Sequence, residues 1–164
     1  MKTRTLTEVA LSVAILSVSA MLTLPFLAIP FTLQSFAFLA VMGLLGAKKG
    51  GTAVLVYLAL GAVGLPVFSG FTGGLGVVLG PTGGFLLGFL VSVPLFIPKG
   101  KILLPMLLSV LLYNIIGSLW YYIFYAEGTS YLASLAVTVL PYLAPDAVKA
   151  ALAYLTVKRL KGKI

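Results

Sequence analysis

No charged residue occurs between Glu8 and Lys48, between Lys49 and Lys99, or between Lys101 and Glu127. Each of these runs is longer than the ~20 apolar residues that a membrane-spanning helix needs. Backbone groups placed in lipid find no water, so such runs must satisfy their own hydrogen bonds as helices. Charged residues make up 9% of the 164 positions, against about 25% in a soluble domain. No water-soluble surface can be assembled from this chain. The expectation is an all-α membrane protein of one transmembrane domain, residues 1–164. It has no cysteine and no histidine, which excludes disulfides and zinc sites built from those residues.

Glycine and proline divide the runs. Helix 1 is expected over Thr5–Leu24, retained rather than cleaved, because its apolar run outlasts a usual signal segment of ~7–15 residues. A loop, Pro25–Pro30, leads to helix 2 over Thr32–Gly46. Helix 3 covers Gly50–Val63. A glycine-rich loop, Gly64–Gly80, precedes helix 4 over Pro81–Ile97 and helix 5 over Ile102–Tyr125. Helix 6 finishes near Leu160, broken or kinked at Pro141 and Pro145. Six crossings place both termini on one side. Lys2, Arg4, Lys48, Lys49, Lys99, Lys101, Lys158, Arg159, Lys161 and Lys163 then all fall on that side. The positive-inside rule makes it cytoplasmic. The positive charge is thereby assigned to lipid head groups of the bilayer, not to nucleic acid.

The eleventh basic residue, Lys149, and Asp146 lie inside helix 6. An ionised side chain in hydrocarbon costs roughly 2.5–3.5 kcal/mol on insertion scales and by default marks function. The i, i+3 spacing sets both on one helix face. From the rise of ~1.5 Å per residue, both sit near mid-membrane. Pro145 suits the first position of a helix, which would put Asp146 in a first turn where the helix dipole favours its charge. The competing reading is an ion pair that only pins helices together. Such pairs stabilise weakly, so a site for a polar ligand is the better account.

Other residues are candidates for the same site. Gln34 opens helix 2, where it either caps its own helix or faces the pocket. Tyr113 and Asn114 lie mid-way along helix 5, and an amide in the membrane seeks a partner helix or a ligand. The loop Gly64–Gly80 is too apolar for a solvent loop and is expected to fold inward as a lid. Gly80, Gly84 and Gly88 form a small-residue stripe suited to close helix contact. Tyr121, Tyr122 and Tyr125 form an interfacial belt. Ala10 and Ala14 let another helix approach, either within this chain or from a partner. No phosphate-binding G-x-x-x-x-G-K-[ST] occurs, so the chain cannot hydrolyse ATP alone. An intramembrane enzyme working through Asp146 would lack a second buried carboxylate, a histidine or a cysteine.

Five segments carry a resemblance. They are Ile29–Gln34 (Ile-Pro-Phe-Thr-Leu-Gln), Tyr57–Phe68 (Tyr-Leu-Ala-Leu-Gly-Ala-Val-Gly-Leu-Pro-Val-Phe), Gly73–Gly76 (Gly-Gly-Leu-Gly), Gly80–Phe85 (Gly-Pro-Thr-Gly-Gly-Phe) and Asp146-x-x-Lys149. In order and spacing the chain resembles the BioY family, the biotin-specific S components of energy-coupling-factor (ECF) transporters. The resemblance implies the six-helix S-component fold in a cell membrane, a biotin pocket towards the outer face, and no enzymatic activity or cofactor. It also implies a T component and two ABC ATPase subunits as partners, docked on an Ala-xxx-Ala surface supplied by Ala10 and Ala14. An S component for a different water-soluble vitamin is the alternative. Phe85 stands where the family commonly has Tyr, and Pro145 where it commonly has Gly. A biotin ligand fits the residues above. Asp146 would accept from a ureido N–H, and Lys149 would donate to the ureido oxygen or attract the carboxylate. Asn114, Gln34 and the backbone at Gly73 and Gly74 would complete the polar contacts, and Phe31, Phe68, Tyr113 and Trp120 would form walls.

Overall fold

The computed structural model describes residues 3–24, 29–97 and 102–162. Part of the expected 25–30 loop, and Lys2, Lys99, Lys101 and Lys163, lie outside them. Helix α1 (Thr3–Met21) buries Val9, Ser12, Val13, Leu16, Ser17 and Ala20. These recur at intervals of three and four, one stripe of a 3.6-residue helix. The two serines tolerate that stripe because each hydroxyl donates to the carbonyl four residues back, at 2.8 and 2.9 Å. Ala10 and Ala14 are exposed on another side of α1. They lie off the stripe by which α1 packs within this chain.

Two short strands, β1 (Thr23–Leu24) and β2 (Phe31–Thr32), pair antiparallel with Thr23 opposite Thr32. This ribbon departs from a purely helical chain. It gives backbone groups between two helices partners of their own.

Helix α2 (Gln34–Ala62) is continuous in outline but breaks at Gly46, where φ is 70° and ψ is −178°. Gln34 Nε2 donates to Tyr57 Oη at 3.0 Å. In an unbroken helix those residues would stand about 34 Å apart. The chain thus doubles back at a single glycine, whose positive φ other residues adopt at a cost. The two arms, 34–45 and 47–62, correspond to the expected second and third helices. The expected basic turn contracts to Gly46 itself, with Lys48 and Lys49 already on the second arm.

A loop holding a 3₁₀ turn (Ser69–Phe71) and helix α3 (Leu75–Val78) follows. Helix α4 (Gly83–Ser92) runs on as a 3₁₀ turn through Phe96 and packs along α5 (Leu103–Tyr125). Glycine makes that approach possible. A Cβ on Gly84 would stand 2.2 Å from Trp120 Cβ, one on Gly88 2.6 Å from Tyr113 Cα, and one on Gly117 2.4 Å from the Phe85 ring.

Helix α6 (Tyr131–Thr138) meets α7 (Leu140–Lys161) at a 45° bend. The break falls at Val139, not at Pro141 or Pro145. Pro141 occupies the first turn of α7, where its missing N–H costs nothing. Pro145 is accommodated inside the helix. By length and apolarity α1, α2, α5 and the bent α6–α7 pair qualify as membrane spans. Residues 83–96 form a shorter apolar helix.

Glu8 ties one end of the bundle together, accepting from Arg4 at 3.1 Å and from Lys49. At the same end Gly43 packs against Met106 of α5 and Val157 of α7. The Gly46 break, the start of α5 and the basic end of α7 therefore share one face of the protein. Tyr125 and Glu127 stand at the far end of α5.

Candidate ligand-binding site

Helix α7 buries Tyr142, Asp146, Lys149, Ala150, Ala153 and Val157 along one side. The stripe is apolar except where Asp146 and Lys149 interrupt it, 5% and 6% exposed. Asp146 lies beyond the first turn of α7, which contains no acidic residue. The expected stabilisation by the helix dipole is thus absent, since that effect fades within one turn.

Side-chain donors supply it instead. Asp146 Oδ1 accepts from Lys149 Nζ at 3.1 Å and from Ser35 Oγ at 3.3 Å. Its Oδ2 accepts from Tyr113 Oη at 3.0 Å and Asn114 Nδ2 at 3.3 Å. A carboxylate offers about four lone-pair sites, so this one is fully subscribed by α2, α5 and α7. Hydrogen bonds of this kind hold a buried charge that desolvation opposes. The ammonium has a second partner, its Nζ lying 4.1 Å from the centroid of the Phe31 ring.

These groups line a recess of about 90 Å³ in this conformation. Asp146, Lys149, Asn114 and Ser35 meet there with Gln34, Phe68 and Tyr113. Phe85, Phe89 and Leu86 of α4 form an apolar wall. Thr32, Ser69 and Thr82 add hydroxyls. Gln34 does not cap its helix. It bonds Tyr57, whose hydroxyl in turn donates to Val67 O at 3.2 Å. Asn114 does link elements, and Nδ2 also donates to Val110 O at 2.9 Å. Both of its N–H groups are thus engaged, which leaves Oδ1 as its remaining acceptor.

The glycine-rich loop contributes Phe68, Ser69 and Val77 to the lining. Phe68 is held edge-on to Tyr57, ring centroids 5.4 Å apart. Three expected residues serve elsewhere. A Cβ on Gly73 would stand 2.2 Å from Leu65 O, so Gly73 permits a backbone crossing. Gly74, at φ 97°, donates its N–H to Gly61 O at 2.7 Å and fastens the loop to α2. Trp120 lies against Gly84 and donates to Gly80 O at 3.0 Å. None of the three lines the recess, and Phe31 reaches it only through Lys149. Sequence reasoning overlooked Tyr142, Thr138 and Phe89. Tyr142 was within reach, since it precedes Asp146 by one helical turn on the same face.

All four lone-pair sites of the carboxylate are engaged by this chain's own donors, so any further group that bonds to it must displace one of them. Among the described residues no group of three His, Cys, Asp or Glu gathers to bind a metal.

The sequence profile of the BioY family matches residues 1–164. The chain belongs to the BioY family. It is 39% identical over 165 residues to a probable biotin transporter BioY of Pyrococcus horikoshii, with 99% of each chain covered. It is 38% identical to the biotin transporter BioY2 of Lactococcus lactis, covering 92% of this chain and 86% of that one. Its fold superposes on the crystal structure of the S component for biotin from an ECF-type ABC transporter. The TM-score is 0.86 at 30% identity, covering 98% of this chain and 92% of the other. Like its relatives, this BioY-family chain is a multi-pass membrane protein. Its five motif segments bear on the recess unequally. Ile29–Gln34, Gly80–Phe85 and the Asp146–Lys149 pair supply lining residues. Tyr57–Phe68 supplies Phe68 and leads into the glycine-rich loop, and Gly73–Gly76 fastens that loop to α2.

Proposed function

We propose that this chain is the biotin-binding S component of an ECF-type uptake transporter. The observation that carries the reading is the juxtaposition, in one recess, of a carboxylate and an ammonium 3.1 Å apart. A cyclic urea presents N–H donors beside a carbonyl acceptor, and this is the complementary surface. The ureido N–H groups approach Asp146 and Asn114 Oδ1, and the ureido oxygen takes an N–H of Lys149. The two longest bonds to Asp146, from Ser35 and Asn114 at 3.3 Å, are those a ligand N–H replaces. The aromatic wall of α4 receives the thiophane ring. The carboxylate tail extends towards the hydroxyls of Thr32, Ser69 and Thr82.

Six crossings follow if α1, the two arms of α2, α4 with its 3₁₀ extension, α5 and the bent α6–α7 pair each traverse the bilayer. The shared end bearing Arg4, Lys49 and Lys158 is then cytoplasmic. Opposite it, the recess opens towards the outside beneath the Gly64–Gly80 lid. The exposed Ala10 and Ala14 face supports docking of a T component, which carries two ABC ATPase subunits.

The test is titration of the purified, detergent-solubilised protein with biotin, alongside streptavidin capture of ligand released on denaturation. One-to-one binding, lost in Asp146→Asn, is the expected result. Recovery of a different vitamin, with no heat on adding biotin, overturns it.

A further inference from the structure

A second recess lies at the basic end of the protein, on the opposite side of the membrane from the proposed biotin site. It is formed where the start of α5 meets the end of α7, and its volume is about 600 Å³. Leu103, Leu104 and Leu107 line one side, all three largely exposed. Tyr154, Lys158 and Lys161 line the other. Their spacing of four and three residues sets them in one row along α7. By helix rise, Tyr154 lies about 6 Å deeper than Lys158, and Lys161 about 4.5 Å further out. One wall therefore carries two ammonium groups with a phenol deeper in, and the facing wall is leucine.

The charges of the whole chain decide what fits there. It has three acidic residues. Glu8 is engaged by Arg4 and Lys49. Asp146 is engaged by Lys149. Glu127 follows the last turn of α5, about 36 Å by helix rise from Leu103 at its first. No side-chain carboxylate of this chain is left for Lys158 and Lys161, and among the described residues neither has an ion-pair partner. The Tyr154 hydroxyl likewise has no hydrogen-bond partner among them. A counter-charge from outside, at the depth of the head groups and attached to something apolar, matches this lining.

We propose that this recess is a binding site for an anionic phospholipid. The phosphate sits between Lys158 and Lys161, the glycerol ester region meets the Tyr154 hydroxyl, and an acyl chain lies along Leu104 and Leu107. Basic recesses between helices on the cytoplasmic side suit such lipids. The aliphatic stems of the lysines complete the apolar wall.

Native mass spectrometry of the whole detergent-solubilised chain, with phosphatidylglycerol, phosphatidylcholine or inorganic phosphate added, tests this. Phosphatidylglycerol is expected to give one retained adduct, at least tenfold more abundant than the phosphatidylcholine adduct. Lys158→Gln with Lys161→Gln should reduce it about tenfold, and Leu104→Trp should reduce it by filling the groove. Lys48→Gln, a basic residue of the same end outside the recess, should leave it unchanged. Equal retention of the two lipids overturns the proposal. So does binding of inorganic phosphate alone, or a loss in Lys48→Gln as large as in the double variant. Biotin titration of each variant separates this site from the first, since these residues do not touch the Asp146 recess.

Discussion

Breaking the Asp146–Lys149 pair one member at a time, and then together, tests whether the recess is a single electrostatic unit. The charges stand 3.1 Å apart on side chains 7% and 8% exposed. At an effective dielectric of about 20 their gross attraction is roughly 5 kcal/mol. Desolvation of both ions offsets much of it. Asp146→Asn keeps the shape but turns an NH₂ group towards one pair of former donors, either Ser35 with Lys149 or Tyr113 with Asn114. In either orientation the ammonium loses its counter-charge, and in the first it keeps only the Phe31 ring as partner. Stranding a buried charge in this way costs about 3–5 kcal/mol. Lys149→Met leaves the carboxylate bonded to Ser35, Tyr113 and Asn114. Its cost is therefore smaller, about 1–3 kcal/mol. The double replacement removes both charges at once and should cost about 2–3 kcal/mol less than the sum of the singles. Unfolding by SDS titration in mixed micelles measures each value, with Trp120, the sole tryptophan, as the fluorescent reporter. If the costs add to within about 0.5 kcal/mol, or if Lys149→Met is the more damaging single change, the argument from pairing fails.

Tyr113→Phe removes the 3.0 Å bond to Asp146 while keeping the ring, and should weaken biotin binding about tenfold by calorimetric titration. Gly61→Ala would place a methyl 2.0 Å from Phe68 Cζ and force that ring off Tyr57. A loss of about 1–3 kcal/mol in the same SDS titration is expected, and an unchanged midpoint would show that the loop yields freely. Gly46→Ala forces an L-residue to φ 70° at a cost of about 1–2 kcal/mol, with the helical circular dichroism of the folded protein unaltered. Ala10→Trp should abolish co-purification with a T component and leave the biotin affinity within about twofold, because Ala10 is exposed and outside the recess.

Sequence made the helices and the buried pair visible because both are consequences of local composition. Charge-free runs mark helices, and two ionisable residues inside such a run announce themselves. Gly46 was harder to place, since Gly46, Gly50 and Gly51 look alike on paper and only the first carries a positive φ. The break before α7 was placed at proline, yet both prolines fit inside the helix and the bend falls at Val139. Proline removes one hydrogen bond without turning the axis here, and the bend falls where α6, packed on α5, meets α7. Among site residues, those on the Asp146 face of a helix were legible from spacing. Gly73, Gly74 and Trp120 were not, because whether a glycine or an aromatic ring packs on backbone or on a void depends on a neighbouring helix that no local pattern specifies.

The four-fold engagement of Asp146 also bears on how the protein is made. Ribosomes deliver α7 last, after Ser35 of α2 and Tyr113 and Asn114 of α5 have already emerged. Until residue 146 arrives those side chains have no common acceptor. The final helix thus completes two earlier ones at a single atom group, and a nascent chain stopped short of it would carry the Ser35 and Tyr113 hydroxyls into lipid without that acceptor.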